Sequence, residues 1–95
     1  MARGTGKSFK RMKLKLKRSI LAVLNACDGV PAPEIALLSA VRVYAQPEQP
    51  SESDILDALR DVENKRYAVA VTDDLTNERT WTLTAKGVHK AREGR

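Results

Sequence analysis

SESDILDALRDVENKRYAVAVTDDLTNERTWTLTAKG, residues 51–87, decides the fold, because the period of its apolar residues changes partway along. Ile55, Leu56, Leu59 and Val62 recur at steps of three and four, which places them on one face of a helix. Ser51-Glu52-Ser53-Asp54 precedes them, and either serine can cap the helix; Ser51 with Asp54 approximates a capping box. At Tyr67-Ala68-Val69-Ala70-Val71-Thr72 the period becomes two, and Arg79-Thr80-Trp81-Thr82-Leu83-Thr84 repeats it. The polar segment Asp73 to Glu78 between them is rich in turn formers, which predicts a β-hairpin with a longer than minimal loop. On this reading Tyr67, Val69, Val71, Trp81 and Leu83 share one sheet face, with Ala and Thr on the other. Thr84 is placed to cap a short final helix, Ala85 to Arg92, and Gly94 to close it.

Upstream, Phe9, Met12, Leu16, Ile20, Val23 and Cys27, with Leu24 beside them, define one face of a long helix. The alternation over Lys13 to Lys17 would suit a strand, but the longer pattern outweighs it. Asp28-Gly29 is expected to stop this helix, with Gly29 in a left-handed conformation, and Pro31 and Pro33 to keep it from resuming. A second helix is expected from about Pro33. Ile35, Leu38, Val41 and Arg42 lie near one of its faces and Leu37 and Tyr44 widen it, so this element should be the most buried. Gln46-Pro47-Glu48-Gln49-Pro50 ends it in a turn. The expected organisation is a flexible basic arm at 1–11 running into the first helix, then one domain over 12–95. The fold class is mainly α (α+β): three helices, a hairpin and a short C-terminal helix.

Charge is unevenly divided. The first eighteen residues carry eight Lys or Arg and no acid, whereas the remainder carries nine bases against twelve acids. Clustered cations gain from neutralising phosphates and releasing their counterions, so a polyanion would be drawn to the arm first. The chain of 95 residues suffices for a single modest core that leans on Leu, Ile, Val and Ala, since aromatics are few. Cys27 is the only cysteine, so an internal disulfide is excluded, which fits a reducing cytoplasm. No apolar run approaches the roughly 20 residues needed to span a bilayer, and no signal-peptide pattern follows the basic start.

Three helices followed by a hairpin and closed by Leu83-Thr84-Ala85-Lys86-Gly87 resemble the winged helix-turn-helix family over roughly residues 12–93. The length and this ending are also similar to small winged-helix proteins of Mu-like phages. The resemblance implies a DNA-associated, transcription-regulatory role. It makes Ile35 to Ala45 the first helix of the helix-turn-helix, Ser53 to Arg66 the recognition helix and Asp73 to Glu78 the wing tip. The side chains run against ordinary docking. With Ile55, Leu59 and Val62 inward, the outward surface of that helix is Ser53, Asp54, Asp57, Arg60, Asp61, Asn64 and Lys65, three acids against two bases. The wing tip sets Asp73, Asp74 and Glu78 against Arg79. A helix in the major groove normally offers Arg, Lys, Asn or Gln to base edges.

Two functions therefore stand. In the first, a non-enzymatic DNA-associated accessory or regulatory protein binds with weak sequence specificity. Its phosphate contacts come mainly from Arg3, Lys7, Lys10, Arg11, Lys13, Lys15, Lys17 and Arg18, with Arg60, Lys65 and Arg79 as further candidates. In the second, Asp54, Asp57, Asp61, Asp73 and Asp74 meet a basic protein partner. A weaker third is a membrane-surface adaptor using Phe9, Met12, Leu16 and Ile20 with their flanking lysines. That stripe continues into Val23 and Cys27, so it is expected to pack on the domain or on a second subunit, which leaves a homodimer open. Gly4-Thr5-Gly6-Lys7-Ser8 looks like the end of a phosphate-binding loop, but Met1 stands where the first glycine is required and no strand precedes it. His89 is the only histidine and has no clustered ligands, so neither a metal nor a cofactor is expected. No nucleophile, histidine pair or confined carboxylate pair points to catalysis. Leu75 at the hairpin tip is expected to fold back over the hairpin, with insertion into a minor groove as the other reading.

Overall fold

The structure, a computed structural model, describes residues 5–46 and 48–93, with side chains described from Met12 onward. It is α+β, with helices α1 (Thr5–Ala26), α2 (Glu34–Tyr44), α3 (Glu52–Asn64) and α4 (Ala85–Glu93). Strands β1 (Ala32–Pro33), β2 (Ala68–Thr72) and β3 (Arg79–Leu83) form an antiparallel sheet in the order β1-β3-β2. The core gathers Leu16, Ile20 and Leu24 of α1, Leu37 and Val41 of α2, Ile55, Leu59 and Val62 of α3, and Trp81 of β3.

α1 ends as its sequence implies. The amides of Cys27 and Asp28 reach back only three residues, to Leu24 and Asn25, and Asp28 and Gly29 take φ of 52° and 86°. α3 carries the expected capping box: the Asp54 amide donates to Ser51 Oγ and the Ser51 amide to Asp54 Oδ2, each at 3.1 Å. A cap of this kind stabilises a helix by about 1 kcal/mol. Ile55, Ala58, Leu59 and Val62 are buried, so the inward face of α3 is the one its spacing indicates.

Three expectations are corrected. β1 adds a strand: Ala32 pairs with Trp81 and Pro33 with Thr80, an edge position that tolerates the missing proline amide. α2 is not the most buried element, because only Leu37 and Val41 within it are buried, while Ile35, Val43 and Tyr44 are exposed. Its inner side meets α1, α3 and the sheet, and a chain this small has no second layer for its outer side. The sheet faces are also reassigned. Ala68 pairs with Leu83 and Ala70 with Trp81, so alanines share the core face with Trp81 and Leu83, while Val69 and Val71 are exposed. The indole sets this arrangement. Trp81 is 2% exposed and is flanked across the sheet by Ala32 and Ala70, small residues that leave it room. Its Nε1 donates to Glu34 Oε1 at 3.0 Å, so the buried ring keeps a partner for its one polar atom.

The run from Leu83 to Gly87 closes the hairpin onto α3. Arg66 sits at φ 65°, past a helix end where the Tyr67 amide bonds Val62 O and the Arg66 amide bonds Glu63 O. This is the Schellman arrangement with arginine in the position that favours glycine. Thr84 Oγ1 donates to Arg66 O at 2.7 Å, and the Thr84 amide donates to Tyr67 O at 2.9 Å. The same hydroxyl accepts from the Gly87 amide at 3.0 Å, so Thr84 caps α4 as expected. Gly94 lies outside the described residues.

Candidate polyanion-binding surface

α1 is a helix with no acid anywhere along it, and it lies against α3, whose sequence is acidic. Their contact is a seam of opposite charge. Lys13 Nζ lies 3.0 Å from Asp61 Oδ2 and 3.2 Å from Asp57 Oδ2, and Lys17 Nζ lies 3.8 Å from Asp61 Oδ2. The hydrogen bond to Asp61, then that to Asp57, raises the Lys13 pKa; the hydrogen bond from Lys13 in turn holds the Asp61 carboxyl below its ordinary value. Farther round α1, Lys15 pairs with Glu48, whose carboxyl is likewise pulled down by that hydrogen bond. All these groups remain in contact with water, so each pair contributes only modestly to stability. The two helices run in the same general sense, since the earlier lysine, Lys13, meets Asp57 and Asp61 while the later one, Lys17, meets only Asp61. The first turns of α1 therefore lead toward the N-terminal end of α3.

The expected phosphate contacts thus divide. Arg3 lies outside the described residues. Lys7, Lys10 and Arg11 fall in α1, with their side chains outside what is described. Lys13, Lys15 and Lys17 have carboxylate partners within the chain, whereas Arg18 and Arg60 are exposed and form no ion pair among the described residues. Lys65 stands exposed at the C-terminal cap of α3, and its carbonyl accepts from Lys86 Nζ at 3.0 Å. Arg79 lies 3.8 Å from Glu34 Oε1, where β3 leaves the hairpin loop.

The five acids expected to meet a partner are mostly occupied at home. Asp54 is bound in the capping box, and Asp57 and Asp61 face the lysines of α1. Asp73 builds the hairpin turn: its Oδ1 accepts from the Leu75 amide at 2.7 Å and from the Thr76 amide at 3.3 Å. Asp74 is exposed beside it, with no side-chain hydrogen bond or ion pair among the described residues. Leu75 does not fold back; it is 95% exposed at the tip. The charge seam is the feature the sequence reading missed. Its signal was two stripes of equal spacing and opposite sign, Lys13 with Lys17 and Asp57 with Asp61.

Among the described residues no group of three His, Cys, Asp or Glu is placed to hold a metal ion, and no helix is long and apolar enough to cross a membrane. Comparison with known protein families, curated proteins and solved structures gives no match to this chain.

Proposed function

We propose that this chain is a non-enzymatic winged-helix protein that associates with DNA, gripping phosphate through its N-terminal basic stretch. The observation that carries the reading is the charge seam. Lys13 and Lys17 neutralise Asp57 and Asp61, which weakens the main electrostatic objection to a duplex approaching α3. The cations ahead of them in sequence, Arg3, Lys7, Lys10 and Arg11, precede the first acid, Asp28, by a wide margin. The element order, with a short strand between α1 and α2 completing the sheet of the hairpin, also suits a winged helix. A basic protein partner on the acidic face of α3 and the wing is the alternative. It has less to draw on, because four of its five carboxylates already serve the fold.

Anisotropy of a labelled duplex over a series of salt concentrations tests the reading. Deleting residues 1–18 would confound it, since Leu16 is 1% exposed in the core. Replacing Lys7, Lys10 and Arg11 together by Gln changes no residue of the described core. Each lost phosphate contact should make the slope of log affinity against log salt shallower by about 0.9, so a triple loss predicts a change of about 2 to 3. Unchanged affinity and slope would remove the arm from the interface.

A further inference from the structure

The side of α1 turned away from the core is not uniformly polar. Leu14 is 47% exposed there, and it borders a hollow of about 540 Å³ between α1, the end of α2 and α4. Leu14, Leu21, Ala22, Tyr44 and Ala91 supply its apolar lining. Lys15, Arg18 and Lys90 stand among them, and no Asp or Glu lines it. A second hollow of about 370 Å³ shares Leu14, Arg18, Leu21 and Lys90 and continues toward Tyr67, so the two make one trough along α1. Asp61 and Glu93 belong to that far part. Arg18 has no ion pair among the described residues. Lys15 and Lys90 hold Glu48 and Glu93 through exposed bridges, with which an incoming carboxylate has to compete.

We infer that this trough is a docking site for an acidic amphipathic helix of a partner protein. Charge complementarity selects the occupant. An apolar floor edged by cations matches a helix whose Leu-type side chains repeat at three and four residues and are flanked by Glu or Asp. Phosphate gains nothing from burying Leu14 and Tyr44, so nucleic acid is the poorer fit. A second copy packing α1 against α1 would set Lys15 and Arg18 against their own counterparts, and like charges in apposition oppose that contact. The inference does not rest on the DNA reading, which draws on the charge seam of Lys13 and Lys17 and on the cations before Met12.

The probe is a synthetic helical peptide with Leu at alternating steps of three and four and Glu between, titrated into the full chain and followed by anisotropy. Saturable binding is expected. Leu14→Asn and Arg18→Glu should each weaken it by about tenfold while the far-ultraviolet spectrum stays unchanged. A peptide of the same composition scrambled out of helical period should also bind about tenfold more weakly. Leu14→Asn should leave duplex affinity as it was. Should Leu14→Asn loosen α1, Arg18→Glu at its exposed position still reads the trough. The inference is overturned by absence of saturation up to about 1 mM peptide, a level equivalent to about 4 kcal/mol of binding. Equal binding of the scrambled peptide, or affinity indifferent to both substitutions, overturns it too. Duplex DNA that displaces the peptide, and loses its own affinity with Leu14→Asn, would give the trough to nucleic acid instead.

Discussion

Gly87→Ala is a substitution whose sign discriminates. At an open position inside a helix, alanine in place of glycine stabilises by up to about 1 kcal/mol through its better helix propensity. At Gly87 an added Cβ would stand 1.8 Å from Tyr67 O and 2.8 Å from Tyr67 C, both backbone atoms that cannot rotate aside. Relieving the overlap takes a shift of more than about 1 Å, because heavy atoms in contact sit about 3.5 Å apart. That carbonyl accepts from the Thr84 amide at 2.9 Å and, at 3.2 Å, shares with Arg66 O the one hydrogen of the Thr84 hydroxyl, so the shift breaks or stretches both bonds. At about 1 kcal/mol per bond, plus overpacking of about 1 to 3 kcal/mol, the net loss is about 2 to 4 kcal/mol after the propensity gain. For a domain whose stability is about 5 to 15 kcal/mol, this is a large fraction. Urea unfolding followed by Trp81 emission measures it, since the indole passes from full burial to water. With a slope of about 1 to 1.5 kcal/mol per molar, the midpoint should fall by about 2 M. A Gly87→Ala protein as stable as the parent, or more so, would refute the close approach of α4 to Tyr67.

Arg66→Gly should raise stability by about 1 kcal/mol, since φ of 65° strains any residue with a Cβ, and the same urea titration reads the gain. The charge seam predicts a pH dependence at both extremes. The lowered pKa of Asp61 contributes stability that is present above its unfolded-state value, near pH 4, and is lost as pH falls through the folded value below it. The raised pKa of Lys13 contributes stability that is complete below its unfolded value and is lost as pH rises through the folded value, above about pH 10. Lys13→Gln should flatten both limbs in melting curves taken across pH, and high salt should shrink the difference between variant and parent; limbs that do not move would deny the seam a role in solution.

What the sequence revealed was local, and what it hid was long-range. The capping box of α3, its buried face, the stop at Asp28-Gly29 and the Thr84 cap all depend on residues within a few positions of each other. Alternation separated the faces within β2 and within β3, but it matched them wrongly across the hairpin, setting Val69 and Val71 beside Trp81 and Leu83 where the register puts Ala68 and Ala70. Hydrophobicity favoured Val69 and Val71, while the volume of Trp81 favours alanine beside it, and volume prevailed. β1 has two residues, too few for any periodicity. The exposed flank of α2 followed from where neighbouring elements stop, which composition does not report. The candidate site suffered most from distance: the basic and acidic stripes were both visible, but their meeting depends on how α1 and α3 pack, some forty positions apart in the chain.

On the proposed function, the seam would turn polyanion binding at Lys13 and Lys17 into an exchange reaction. A phosphate arriving there must evict a carboxylate tethered to the same molecule, whose effective concentration is set by the fold and cannot be diluted away. The chain carries its own competitor, so its cations form two tiers. On that reading a cation with no ion pair among the described residues, such as Arg18, would engage at low polyanion density. The lysines on the seam would add their charge only where phosphates are dense enough to displace Asp57 and Asp61, as along a duplex and not around an isolated nucleotide.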